Sequence, residues 1–231
     1  MHGMAYDATH DEIVVSSPLA QTILVFRGAA DGEEAPVRAI HGPKTQILGT
    51  GLNGNDKVAI DEVNNEIYLP ILDGIEVFDR MANGDVPPKR ILKGPDTGIK
   101  AIPAVAVDPV HNRMVVRSSN ALLIFERTAS GNTKPLSSIQ GPKVGVGGLP
   151  HELRVYPPKG WIIDGSRGGA LGVWSINDVG DTPPRWRIPV RQLADKGEGA
   201  SGIDLDPVHK ELWVTSGSGN RFMTFYFPEI F

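Results

Sequence analysis

The chain has no cysteine. That excludes disulfides, thiolate metal sites and cysteine nucleophiles. Aromatic residues make up 6% of its 231 residues, too few for a stacking platform on nucleic acid. Charge of one sign is also lacking: 23 Lys and Arg stand against 27 Asp and Glu, a net charge of -4. A nucleic-acid surface normally carries a strong basic excess, so no nucleic-acid partner is expected. No apolar run approaches the roughly 18 residues of a membrane-spanning helix, so no transmembrane segment is expected. No stretch shows a helical period over about ten residues. Neither His-Glu-x-x-His nor an EF-hand spacing occurs.

What the sequence does have is a repeated turn. Its cleanest copy is Val105-Ala106-Val107-Asp108-Pro109-Val110-His111-Asn112-Arg113-Met114-Val115-Val116, which reads as strand, tight turn, strand. Anchor aspartates recur at Asp7, Asp61, Asp108 and Asp206, spaced by 54, 47 and 98 residues. The last gap is twice 49, which predicts a further copy near Pro157 that has lost its aspartate. An aromatic marker keeps the same beat: Phe26, Phe78, Phe125, Trp174 and Phe225.

Each unit reads as four short strands. In the second unit they cover residues 57–60, 66–69, 74–78 and 89–92, rich in the Val, Ile, Tyr and Phe that suit a pleated surface. A polar turn with glycine separates strands three and four, as at Asp31-Gly32, Asn83-Gly84 and Ser130-Gly131. Proline then opens strand four, and Gly-Pro closes the unit at Gly42-Pro43, Gly94-Pro95 and Gly141-Pro142. One such sheet cannot bury both faces, so neighbouring sheets stack around a shared axis. The fold expected is an all-β propeller of four-stranded antiparallel blades. A single domain, residues 1–231, divides near 3–54, 55–101, 102–149, 150–199 and 200–231. The last blade lacks a fourth strand after its third, residues 221–227.

In this register the anchor aspartates are turn residues whose carboxylates accept backbone N–H groups. His10, His111 and His209 fall in the same turns and read as turn residues too. Gly49-Thr50-Gly51-Leu52-Asn53-Gly54 fits a dinucleotide pattern, but no βαβ unit surrounds it, so it reads as an inter-blade loop. Ser166, in Asp164-Gly165-Ser166-Arg167, reads as a turn between strands two and three. Arg27, Arg38, Arg80, Arg90, Arg127 and Arg185 read as a solvated outer stripe. Trp161, Trp174, Trp186 and Trp213 read as inter-blade core. Unit four is divergent, gathering three of these tryptophans where its aspartate is lost.

The entrances to the first strands line one mouth of the central channel. They bring His2, Asn55, Asp56, His151, Glu152 and Ser201 toward each other as a candidate binding set. Imidazoles, carboxylates and an amide could bind a divalent metal or a small polar ligand, with Asp56, His151 and Glu152 the candidate metal ligands. No other cofactor is expected.

The Asp108-Pro109-Val110-His111-Asn112 turn, with Val115-Val116 and Leu123-Ile124-Phe125-Glu126-Arg127 after it, resembles the NHL-repeat and related bacterial propellers of six or seven blades. Only five units stand here, and the resemblance implies further sequence upstream. It also implies export to the periplasm or beyond. The absent catalytic motif and the strictly repeated turn residues favour a non-enzymatic binding or scaffold propeller presenting its channel mouth and loops to a protein or small polar partner. Asn55-Asp56-Lys57-Val58 is similar to Asn-Asp-Gly-Lys-Val of senescence-marker-type lactonases, where the Asn belongs to a metal site. That likeness implies a metal-dependent hydrolase or lyase as the alternative, although His2, Pro103, His151 and Ser201 depart from the family's ligands. A third reading is a subunit whose open last blade is completed by another chain.

Overall fold

The computed structural model describes residues 3–17, 19–48, 58–101, 103–146, 153–166, 169–193, 202–216 and 220–231. Five antiparallel sheets form a β-propeller. Blade 1 holds β1 (Gly3–Asp7), β2 (Glu12–Ser17), β3 (Thr22–Arg27) and β4 (Arg38–His41). Blade 2 holds β5 (Ala59–Asp61), β6 (Glu66–Ile71), β7 (Gly74–Asp79) and β8 (Arg90–Lys93). Blade 3 holds β9 (Ala104–Asp108), β10 (Arg113–Ser118), β11 (Ala121–Glu126) and β12 (Ser137–Gln140). Blade 4 holds β13 (Leu153–Tyr156), β14 (Trp161–Ser166), β15 (Ala170–Ser175) and β16 (Trp186–Ile188). A single helical turn, Val190–Leu193, follows it. Blade 5 has three strands: β17 (Gly202–Asp206), β18 (Glu211–Ser216) and β19 (Arg221–Tyr226). Strand bounds differ from the sequence expectation by a residue or two. Ser166 is the last residue of β14 rather than part of the turn after it.

The alternation of each strand sends side chains to two faces, and both are needed. In blade 2, Ile67, Leu69 and Phe78 pack toward blade 1, while Tyr68, Ile75 and Val77 pack toward blade 3. The core is therefore four seams rather than one centre. Each fully buried Val, Ile or Leu contributes about 1.5–3 kcal/mol. The recurring aromatic plugs three seams, where Phe78, Phe125 and Trp174 are fully buried against the preceding blade, and Phe225 is half-buried at the fourth.

The turn between strands one and two works as expected. Asp7, Asp61, Asp108 and Asp206 accept the backbone N–H three residues on, at 2.9–3.1 Å. The next residue takes the left-handed conformation: Asp11, Asn65, Asn112 and Lys210 have φ of 53–59°. In blade 4 that slot holds Gly160, φ 62°, where positive φ costs nothing. Tyr156 pairs with Trp161 as Asp7 pairs with Glu12, so the lost aspartate is position 156, one residue before the expected 157.

A second device clips blades 1 to 4 together, each to the next. Gly84, Gly131 and Gly180 donate their N–H to Ala39, Ile91 and Ser138 of the preceding fourth strand, each at 2.7 Å. The next side chain, Asp85, Asn132 or Asp181, accepts the N–H of Lys44, Asp96 or Lys143 at 2.7 Å. The glycine turn thus holds two blades, which is why its composition repeats.

Candidate functional site

The propeller has two ends of different chemistry. At one lie the aspartate turns. His10 Nδ1 sits 2.9 Å from Asp7, His111 Nδ1 2.8 Å from Asp108 and His209 Nδ1 2.7 Å from Asp206. An Asp–His pair is a familiar proton-transfer unit. Here the second blade decides otherwise: Asn64 Nδ2 donates to Asp61 at 2.9 Å in the same geometry. An amide that cannot titrate does the same work, so the work is holding the turn. The hydrogen bond to Asp206 raises the pKa of His209 and lowers that of the carboxyl.

At the other end lie the entrances to the first strands. His2, Asn55, Asp56, His151, Glu152 and Ser201 all lie outside the described residues. So does the glycine loop at 49–54. Among the described residues, no three His, Asp or Glu side chains are grouped to hold a metal ion.

The described part of this end carries a cleft of about 570 Å³ at blade 3. It opens between the β10–β11 turn, the end of β12 and the links before and after the blade. Its walls include Lys100, Ser119, Asn120 and Gln140, with Pro142 and Val146 adding apolar surface. Ser118 is buried beneath it, accepting the Lys100 N–H at 2.8 Å and so fixing the link that presents Lys100. Lys100, Ser119, Asn120 and Gln140 are exposed, leaving an ammonium, a hydroxyl and two amides to meet a ligand. Sequence reasoning did not single these residues out. The available signal was positional, since each lies in a turn, a link or a strand end at the entrance end.

The ionisable groups at the seams differ from the solvated stripe expected of them. Arg38 and Arg80 meet on Glu12 at 2.6 and 2.8 Å, and all three side chains are only 12–13% exposed. Arg90 and Arg127 meet on Glu66 in the same way at 2.7 Å, with Lys89 at 3.0 Å. Arg27 and Arg185 are the more exposed members, with Glu34 and Asp178 as partners at 2.7 Å. Burial would raise the Glu66 pKa, but hydrogen bonds from Arg90, Lys89 and Tyr68 outweigh it and bring the carboxyl to about 2. Burial likewise acts against Glu12, and Arg38 and Arg80 overcome it to lower its pKa.

Blade 4 replaces this arrangement position for position. Trp161, Trp186 and Phe227 stand where Glu12, Arg38 and Arg80 stand in the first seam. Their rings meet edge to face at 5.3 and 6.0 Å. Trp174 is fully buried, and Trp161 and Trp186 are half-buried at the seam with blade 5. Trp213 departs from the core expected of it. It is 38% exposed, because among the described residues no blade covers that face of blade 5.

Three further ionisable side chains are buried. Arg117 of blade 3 meets Asp164 of blade 4 at 3.1 Å, each 1% exposed. Glu76 of β7 is also buried, and Oε2 has no hydrogen-bond partner among the described residues. Burial pushes its pKa up to about 7, with Lys93 pulling the other way. Among the described residues no helix is long and apolar enough to cross a membrane. No protein-family model matches the chain, and a search of curated proteins returns no match.

Proposed function

We propose that the chain is a non-enzymatic binding propeller that takes a small polar ligand, or a polar loop of a protein, at its entrance end. The cleft at blade 3 carries this reading. Lys100 supplies a cation, while Ser119, Asn120 and Gln140 supply donors and acceptors around a partly apolar floor. Few convergent polar groups on a preformed surface are what a small-ligand site needs. The use of the repeated Asp, His and Asn side chains in the turns supports the same reading, since these groups are engaged in the scaffold.

An NMR titration with citrate, a polar anion matched to Lys100, tests it. The side-chain amides of Asn120 and Gln140 should shift in a saturable way, and Lys100→Ala/Asn120→Ala should abolish the shifts. Saturable shifts confined to the aspartate-turn end would reject the cleft. Stoichiometric Ca²⁺, Zn²⁺ or Mg²⁺ bound by the wild type and lost in Asp56→Ala/His151→Ala would replace the reading with a metal-dependent hydrolase.

A further inference from the structure

Blade 5 exposes a face that every other blade covers. Val14, Tyr68, Val115 and Ile163 occupy one position of the second strand in blades 1 to 4 and are fully buried. The same position in blade 5 is the half-exposed Trp213. Beside it Phe222 is 63% exposed and Tyr226 71%. Among the described residues, β19 also has no strand on its outer side. An open edge beside an apolar face is a template for strand addition.

The other blades show what fits such an edge. In each, the fourth strand runs antiparallel to the third, and its third residue is buried: Ile40, Leu92, Ile139 and Ile188. Ile40 pairs with Ile23, the position that Phe222 holds in blade 5. The residue before the strand donates its N–H to the third strand: Val37 to Val25, Lys89 to Val77, Leu136 to Ile124, Arg185 to Val173, all at 2.8 Å. Thr224 holds the accepting position in β19.

The first residue of the fourth strand is the selective one. Blades 1 and 2 place Arg38 and Arg90 there, on Glu12 and Glu66 at the start of the second strand. Blade 4 places Trp186 there, on Trp161. Blade 5 begins its second strand with Glu211, the partner that an arginine needs.

We propose that the outer edge of β19 takes an extended segment of a partner chain as a fourth strand, of the type Arg-x-Ile/Leu. The segment runs antiparallel to β19. Its arginine meets Glu211, and its third residue lies opposite Phe222, shielding Trp213. This interface is separate from the cleft at blade 3.

A peptide with the sequence of residues 36–43, Pro-Val-Arg-Ala-Ile-His-Gly-Pro, is the probe. Added to the full chain, it should bind saturably, quench Trp213 and slow amide exchange across residues 221–226. Replacing its Ile by Asp should abolish binding. Replacing its Arg by Glu should weaken binding at least about tenfold, and Glu211→Arg should restore that loss, as a charge-assisted contact requires. Absence of saturable binding, or equal binding by the Ile→Asp peptide, overturns the proposal. Protection of β19 without peptide, together with a solution mass of two chains, assigns the edge to a second copy and overturns it as well.

Discussion

The seam between blades 1 and 2 and the seam between blades 4 and 5 solve one problem with opposite chemistry. The same three positions hold Glu12, Arg38 and Arg80 in one and Trp161, Trp186 and Phe227 in the other. The ionic version fixes geometry through directed hydrogen bonds, and its cost is desolvation of three charges. The aromatic version has no charge to desolvate and depends on area and edge-to-face contact. What repeats in this propeller is therefore the position of an inter-blade latch, not its chemistry. The seam between blades 3 and 4 buries its ion pair, Arg117–Asp164, toward the opposite end of the strands.

The largest effect should come from breaking an ionic latch. Glu66 satisfies Arg90, Arg127 and Lys89 at once. Glu66→Ala strands two buried guanidinium groups and should cost about 3–5 kcal/mol in chemical denaturation. The pH dependence follows from its depressed carboxyl. Glu66 is ionised in the folded state down to about 2, so its contribution is complete above about 4.5 and is lost as pH falls toward 2. The wild type should lose about 3 kcal/mol over that window from this group. Glu66→Gln should fall less steeply there by that amount, with Glu12 still contributing a slope, and an equal slope in both proteins would show that the latch is not ionic.

A smaller loss should follow at the aromatic seam. Trp186 touches the rings of Trp161 and Phe227 and is half-buried. Trp186→Ala should cost about 2–3 kcal/mol, below the range for a fully buried tryptophan. That loss should be the same at pH 5 and pH 3, where the Glu66 variant changes most. A Trp186→Ala loss that tracks pH would remove the distinction between the two seams.

Much of the fold was legible because the repeat states one blade five times. Asp108-Pro109-Val110-His111-Asn112 gave the turn, and its recurrence assigned the role that Asn64 confirms in blade 2. Strand periodicity placed the aromatic plugs. Arg80 and Arg127 depart from the solvated stripe because periodicity reports the position of a residue within a blade, whereas they find their glutamates one blade away; Arg27 and Arg185 are exposed as expected. Trp213 was misread for the converse reason. Its strand position is buried in four blades, and only the assembled fold shows that no blade among the described residues covers it in the fifth. The candidate site was less legible. The register pointed to the entrance end, but Lys100, Asn120 and Gln140 carry no motif, and a cleft between links from different blades has no linear signature.

Glu76 offers the finest comparison, between copies of a single position. Leu24, Leu123 and Met223 stand in β3, β11 and β19 where Glu76 stands in β7, at the face toward the preceding blade. The carboxyl there is buried with Oε2 unpartnered, and burial holds its pKa near about 7. A folded-state pKa above the unfolded one means that the neutral form suits the fold. Stability is fullest below about 4.5 and falls as pH rises through 7. Glu76→Leu should restore the apolar choice of blades 1, 3 and 5 and raise stability. The gain should be smallest near pH 5, about 1 kcal/mol for an unpartnered polar group, and should grow as pH approaches 8. Denaturation of both proteins at pH 5 and pH 8 measures it. A gain that shrinks with rising pH would mean that the Glu76 carboxylate has a partner in solution, making the ionic chemistry of blade 2 reach both of its seams.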